Sequence, residues 1–130
     1  MAKAKYIVGI DLGTTNIVLS YAPLAAVDGE EPAQITLLPI VQELAKGTIE
    51  KLEVLPSFIF ERLKEKPVLT WEDDSQYIGG DYARERGAEV PDRLISSAKS
   101  WLCNPRIDRT QPVLPWNSPG ENAKISPLSA

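Results

Sequence analysis

Histidine is absent from the 130 residues, and cysteine and methionine occur once each. Without imidazole there is no Ser-His-Asp triad and no histidine general base, and the commonest zinc ligand is missing. The single thiol, Cys103, cannot form an intrachain disulfide. With no base or resolving thiol in company, it is expected to be a small buried hydrophobe rather than a nucleophile. No apolar run is long enough to span a bilayer. The run that follows Lys3 and Lys5 is broken by Asp11 before it reaches the length of a signal-peptide core, so the cytoplasm is the expected compartment. Basic residues are also short, 14 Lys and Arg against 18 Asp and Glu, and no basic stripe is present. The formal charge of −4 therefore argues against a nucleic-acid partner. What remains is ordinary: 43% hydrophobic and 25% charged residues suit one domain with a modest core.

Against this background the octet Gly9-Ile10-Asp11-Leu12-Gly13-Thr14-Thr15-Asn16 stands out. Tyr6, Ile7, Val8 and Ile10 before it, and Ile17, Val18, Leu19 and Tyr21 after it, are β-branched, aromatic or aliphatic and predict two strands of a hairpin. Gly13 marks the bend, where a residue free to adopt positive φ and lacking Cβ lets backbone N–H groups converge on anionic oxygens. Thr14 and Thr15 add hydroxyl donors. Asp-x-Gly alone reads as a tight turn. Two threonines after the glycine suit such a turn poorly, and the whole run points to a phosphate. A carboxylate such as Asp11 beside a polyphosphate requires a hard divalent cation between them, which implies Mg²⁺ with a nucleotide.

Further along, Asp28-Gly29 signals a turn within a loop from Pro23 to Pro32. Gln34 to Val41 and Leu52 to Phe60 predict two strands separated by a polar hairpin tip containing Gly47, and Val68 to Trp71 predicts a short third. A helix from Asp81 to about Ala88 is expected to close at Gly87 through positive φ. A second helix is expected to be capped by Asp92 and to carry Leu94, Ile95, Ala98, Trp101 and Leu102 on one stripe. Lys99 lies at the edge of that stripe beside Ile95, where a long basic side chain commonly lays its stem on apolar surface and keeps its head in water. Trp71, Trp101 and Trp116 are expected to pack, and Asp73-Asp74 to form a solvated turn. From Asn104 onward prolines recur with little periodicity, predicting an extended, partly disordered tail over residues 117–130.

Four segments carry a family resemblance. The octet resembles the first phosphate loop of the actin-like ATPase superfamily and is most similar to the opening of DnaK-type heat-shock protein 70 chaperones. Leu55-Pro56-Ser57-Phe58-Ile59-Phe60 resembles that family's threonine-proline-serine strand. Tyr77-Ile78-Gly79-Gly80-Asp81-Tyr82-Ala83 resembles its valine-glycine helix entry, and Ser97-Ala98-Lys99-Ser100-Trp101-Leu102 occupies the place of its lysine-bearing helix. The likeness covers most of Lys5 to Leu102, is weak between Pro23 and Lys51, and stops at Cys103. Ile17 stands where the family usually has serine or cysteine, and Trp101-Leu102-Cys103-Asn104-Pro105 replaces the Arg-Leu-Ile-Gly that usually follows the lysine. These departures mark a divergent branch.

The resemblance implies ATP or ADP with Mg²⁺ as cofactors of the intact protein. It assigns catalytic roles to Lys99 and Thr14, nucleotide binding to Gly13, Thr14, Thr15 and Asn16, and Mg²⁺ to Asp11 through water. In that family the lysine orients the attacking water and balances charge at the γ-phosphate, the electrostatic help that phosphoryl transfer needs. It further implies an α/β (α+β) fragment, the opening β-meander of an actin-like (ribonuclease H-like) ATPase lobe with two short helices on one face. Residues 1–116 would form part of lobe I, with the phosphate-loop hairpin at 5–22 and an upper subdomain at about 34–103. Unfolded client peptides and co-chaperones would bind parts beyond this chain, which alone should be inactive. Its exposed strand edge should favour edge-paired or domain-swapped self-association. Two other readings stay open: a sugar kinase of the same superfamily, whose opening is similar, and a non-enzymatic interaction module in which the octet is only a turn.

Overall fold

The computed structural model describes residues 3–27, 32–62, 69, 76–120 and 122–130. Within them the chain is mixed α/β, mostly short strands with three short helices. Strand β1 (Tyr6–Leu12) pairs antiparallel with β2 (Asn16–Pro23) in the register Asp11 to Val18 and Leu12 to Ile17. The expected hairpin is therefore present. Helix α1 (Leu24–Val27) follows, its first N–H donating to the Lys5 carbonyl at 2.9 Å. The other edge of β2 is shared by two small strands, β3 (Thr36–Leu37) toward one end and β6 (Leu55–Pro56) toward the loop.

The expected single meander is instead three antiparallel sheets. The stretch read as one strand from Gln34 to Val41 divides into β3 and the start of β4 (Ile40–Ala45), which forms a separate hairpin with β5 (Thr48–Leu52). Gly47 turns that hairpin with φ 81°, so the glycine in the expected tip has the conformation that favours it. The stretch from Leu52 to Phe60 likewise divides, at Ser57, into β6 and β7 (Phe58–Glu61). β7 is the centre of the third sheet, between β8 (Tyr77–Gly79) and β9 (Leu94–Ser96). The strand expected at Val68 to Trp71 lies, apart from Leu69, outside the described residues, as do the Asp28-Gly29 turn, Trp71 and the Asp73-Asp74 turn.

Helix α2 (Asp81–Glu89) covers this third sheet, and Phe60, Ile78, Tyr82 and Ala83 form the buried core between them, with Phe58 and Val90 packed alongside. The helix starts at Gly80, whose φ 91° and ψ −147° lie in a region open essentially to glycine alone. No side chain of Gly80 is available to cap, and Gln42 from β4 supplies the cap instead. Its Oε1 accepts the Asp81 N–H at 3.1 Å and its Nε2 donates to the Val54 carbonyl at 2.9 Å. The helix does not close at Gly87 by positive φ but runs through it to Glu89. Gly87 is needed for contact: a Cβ there would lie 2.3 Å from a methyl of Leu94.

The second expected helix is corrected more deeply. Pro91–Arg93 form one 3₁₀ turn, Leu94–Ser96 become β9 on the edge of β7, and only Ala98–Leu102 are helical, as α3. The apolar stripe was real, but β7 offered Leu94 to Ser96 backbone partners and a buried seat for Ile95, 2% exposed. Tertiary pairing outweighed a helix interrupted by two serines. The tail is also not extended. Leu114 bridges to Ile125, Leu128 donates to the Arg109 carbonyl at 3.1 Å, and Leu114 and Pro127 are fully buried. Isolated apolar residues between prolines carry this folding back, a pattern with no period to read.

Candidate functional site

The loop between β1 and β2 is closed by contact rather than by left-handed backbone. Gly13 is not in the positive-φ region, but a Cβ on it would sit 2.3 Å from the Asn16 carbonyl oxygen. The positive φ expected at Gly13 is therefore corrected: the bend falls on Thr14 and Thr15, and the glycine is required by the close approach of Asn16. Two distant segments close on this loop. Lys99, at the start of α3, donates from Nζ to the Leu12 carbonyl at 2.6 Å across 87 residues. Ser57, at the break between β6 and β7, donates its hydroxyl to the Gly13 carbonyl at 2.9 Å and its N–H to the Thr15 carbonyl at 2.8 Å.

The turn before Lys99 is what aims it. Ser97 has φ 55° and ψ 31°, a left-handed conformation uncommon for a residue with a side chain. It reverses the chain between β9, which is buried against β7, and α3, which faces the loop. Backbone strain of this kind is retained when the surrounding structure fixes it, and it gathers at sites of function.

Gly13, Thr14, Ser57, Ile95 and Lys99 line one cavity of about 460 Å³. Its wall is mainly apolar, with contributions from Leu12, Ile17 and the C-terminal Pro127. Lys99 is its charged side chain among the described residues. The remaining expected site residues lie elsewhere. Asp11 alternates with Leu12 along β1 and so faces the opposite side of the hairpin, exposed beside Val18. Asn16 pairs with Pro56 and borders a different hollow with Asp81 and Arg84. Thr15 is exposed and enters the site through its carbonyl, held by Ser57.

Ser57 and Gln42 hold the loop and the start of α2, roles that composition and periodicity do not signal. The signal for Ser57 was its place in the Leu-Pro-Ser segment. Cys103, expected to be buried, is exposed at the C-cap of α3. Trp101 does pack, stacked on Trp116 at 5.0 Å between ring centroids. Among the described residues two titrating groups are perturbed, both away from the cavity. Burial and then the Glu61 carboxylate push the Tyr77 hydroxyl up, and hydrogen bonds from the Thr110 hydroxyl and N–H hold Asp108 below the usual carboxylate value. No group of three or more metal-ligating side chains occurs among the described residues, and no helix there is long and apolar enough to cross a membrane. Comparison with protein-family models, with curated proteins and with solved structures gave no match.

Proposed function

We propose that this chain is the N-terminal part of the ATP-binding domain of a DnaK-like, actin-fold chaperone of the cytoplasm, in which ATP hydrolysis drives peptide binding and release. The observation that carries the reading is the Lys99 ammonium resting on the backbone of the octet loop, 87 residues away, in the cavity that Gly13 and Thr14 also line. A composition-level account of Lys99 as a solvated stem gives no reason for that meeting.

The residues fit a nucleotide phosphate on one count in particular: Lys99, a cation, lines the same cavity as Gly13 and the hydroxyl-bearing Thr14. Of the residues the resemblance assigns, Gly13, Thr14 and Lys99 line the cavity and would meet the phosphates, whereas Thr15 and Asp11 do not line it. When bound, the nucleotide supplies the phosphoryl group transferred to water. Lys99 supplies positive charge next to it, and the hydroxyl of Thr14 a donor. The face of β1 that carries Tyr6, Val8, Ile10 and Leu12, all more than half exposed, supports a larger lobe as the setting, since such a surface is normally covered. Client peptides and co-chaperones then belong to other parts of the intact protein.

The test is the native reading frame around this chain. The proposal expects a second Asp-x-Gly-Gly-Gly loop followed by a β-rich domain, and at most weak binding of Mg-ATP by these 130 residues alone. A frame without that loop, or saturable micromolar affinity in the isolated chain, overturns it.

A further inference from the structure

The phosphate reading uses one rim of the cavity of about 460 Å³, where Gly13, Thr14 and Lys99 lie, and leaves most of the wall without a role. That wall is made by Ile17, Leu55, Phe58, Ile95, Leu102 and Pro127, drawn from β2, the β6–β7 segment, the β9–α3 segment and the tail. It is a built hollow rather than an open face. Pro127 is fully buried, and the tail that carries it is held by the Leu114–Ile125 bridge and by the Leu128 N–H on the Arg109 carbonyl at 3.1 Å. Such a wall offers an ion no hydrogen bonds, whereas it favours any aliphatic group that leaves water to lie on it. The positive charge is at the rim. Lys99 is exposed, spends one of its three N–H donors on the Leu12 carbonyl, and keeps two for a ligand. No acidic side chain lines the cavity among the described residues.

We propose that this cavity binds a medium-chain aliphatic carboxylate, with its chain against the apolar wall and its carboxylate on the Lys99 ammonium at the rim. One cation beside an apolar hollow matches one anionic head on a hydrocarbon tail. The ion pair, at an exposed lysine, contributes little by itself and selects the sign of the head group. Most of the affinity comes from the chain, and each methylene taken from water should tighten binding about three- to fourfold until the cavity is full. The inference does not rest on the phosphate reading. Both ligands would use Lys99, so a bound carboxylate and a nucleotide phosphate would exclude one another.

The experiment is a methyl NMR titration of the 130-residue chain with octanoate, hexanoate and octylammonium, each kept below its micelle-forming concentration. Octanoate should give saturable shifts at the methyls of Ile17, Ile95 and Leu102, in about the millimolar range expected of so small a ligand. Hexanoate, with a shorter chain and the same head, should bind about tenfold more weakly. Octylammonium, with a chain of the same length and the opposite charge, should bind about fivefold more weakly than octanoate. Lys99→Met, which keeps an apolar stem, should weaken octanoate about three- to fivefold and should not weaken octylammonium. The octylammonium comparison needs no variant, so it decides the role of the charge even where Lys99→Met fails to fold. Absence of saturable octanoate shifts at those methyls overturns the proposal, as does equal affinity for hexanoate or for octylammonium. None of these titrations contains nucleotide, so their failure leaves the phosphate reading to its own test.

Discussion

Replacing Gln42 by leucine removes a single side-chain amide that joins three pieces of the fold. Gln42 is 1% exposed in β4, donates to Val54 just before β6, and accepts the first N–H of α2. Leucine has similar bulk and is cheaper to bury, so the transfer term favours the variant. Two terms oppose it. The hydrogen bonds contribute about 1 kcal/mol each, and the Val54 carbonyl and Asp81 N–H left behind cost about 1–3 kcal/mol apiece where water cannot reach them. Both partners are only partly buried, so water recovers some of this, and the net loss is about 2 kcal/mol. For a chain of this length that is a fall in Tm of about 7 °C. Thermal unfolding followed by circular dichroism measures it, with amide exchange at Asp81 reporting whether the helix start frays. A change in Tm under about 2 °C would refute the cap.

Three further outcomes follow from the same geometry. Gly80→Ala should cost about 2–4 kcal/mol in denaturant unfolding, because the backbone conformation is closed to alanine and the new Cβ would lie 2.7 Å from both Gln42 Oε1 and a Leu55 methyl; a neutral result would contradict the assigned conformation. Asp108 titrates low because its charged form is hydrogen-bonded, so its contribution to stability is full above the ordinary value of 3.8 and is lost as pH falls through the lower folded value; Thr110→Ala, which removes the hydroxyl bond and keeps the N–H, should raise its NMR-detected pKa part of the way, and no change would refute the hydroxyl bond. The exposed edge of β1 should let the isolated chain associate at high concentration, and Ile10→Lys should weaken that association at least tenfold in light scattering; a strict wild-type monomer at millimolar concentration removes the edge-pairing account.

The parts legible in the sequence were those with a local signal. The strand-turn-strand around Gly13 and the glycine turn at Gly47 depend on nearest neighbours, and both appear where composition put them. The start of α2 was readable from Gly80-Asp81, though not its cap, since a glutamine in a half-polar hairpin looks solvent-facing until α2 lies over it. Glu43 behaves in the same way: next to Gln42 it reads as surface, but it is 2% exposed and sits 3.5 Å from the buried Arg62 guanidinium. The stretch from Asp92 to Leu102 shows the limit most clearly. Its helical period was present in the residues, but the edge of β7 determined that Leu94 to Ser96 became a strand. That conversion requires Ser97 to turn left-handed, which is how Lys99 comes to face the octet. The residue was legible as a candidate; the turn that delivers it was not.

The most direct test of the central claim is steady-state ATP turnover by the complete product of the native reading frame, compared with its Lys99→Ala variant. The account predicts turnover in the parent and a loss of about 10²- to 10³-fold in kcat on removing the ammonium, with the fold unchanged by circular dichroism. Equal turnover in the two proteins, or none in the parent, would contradict it.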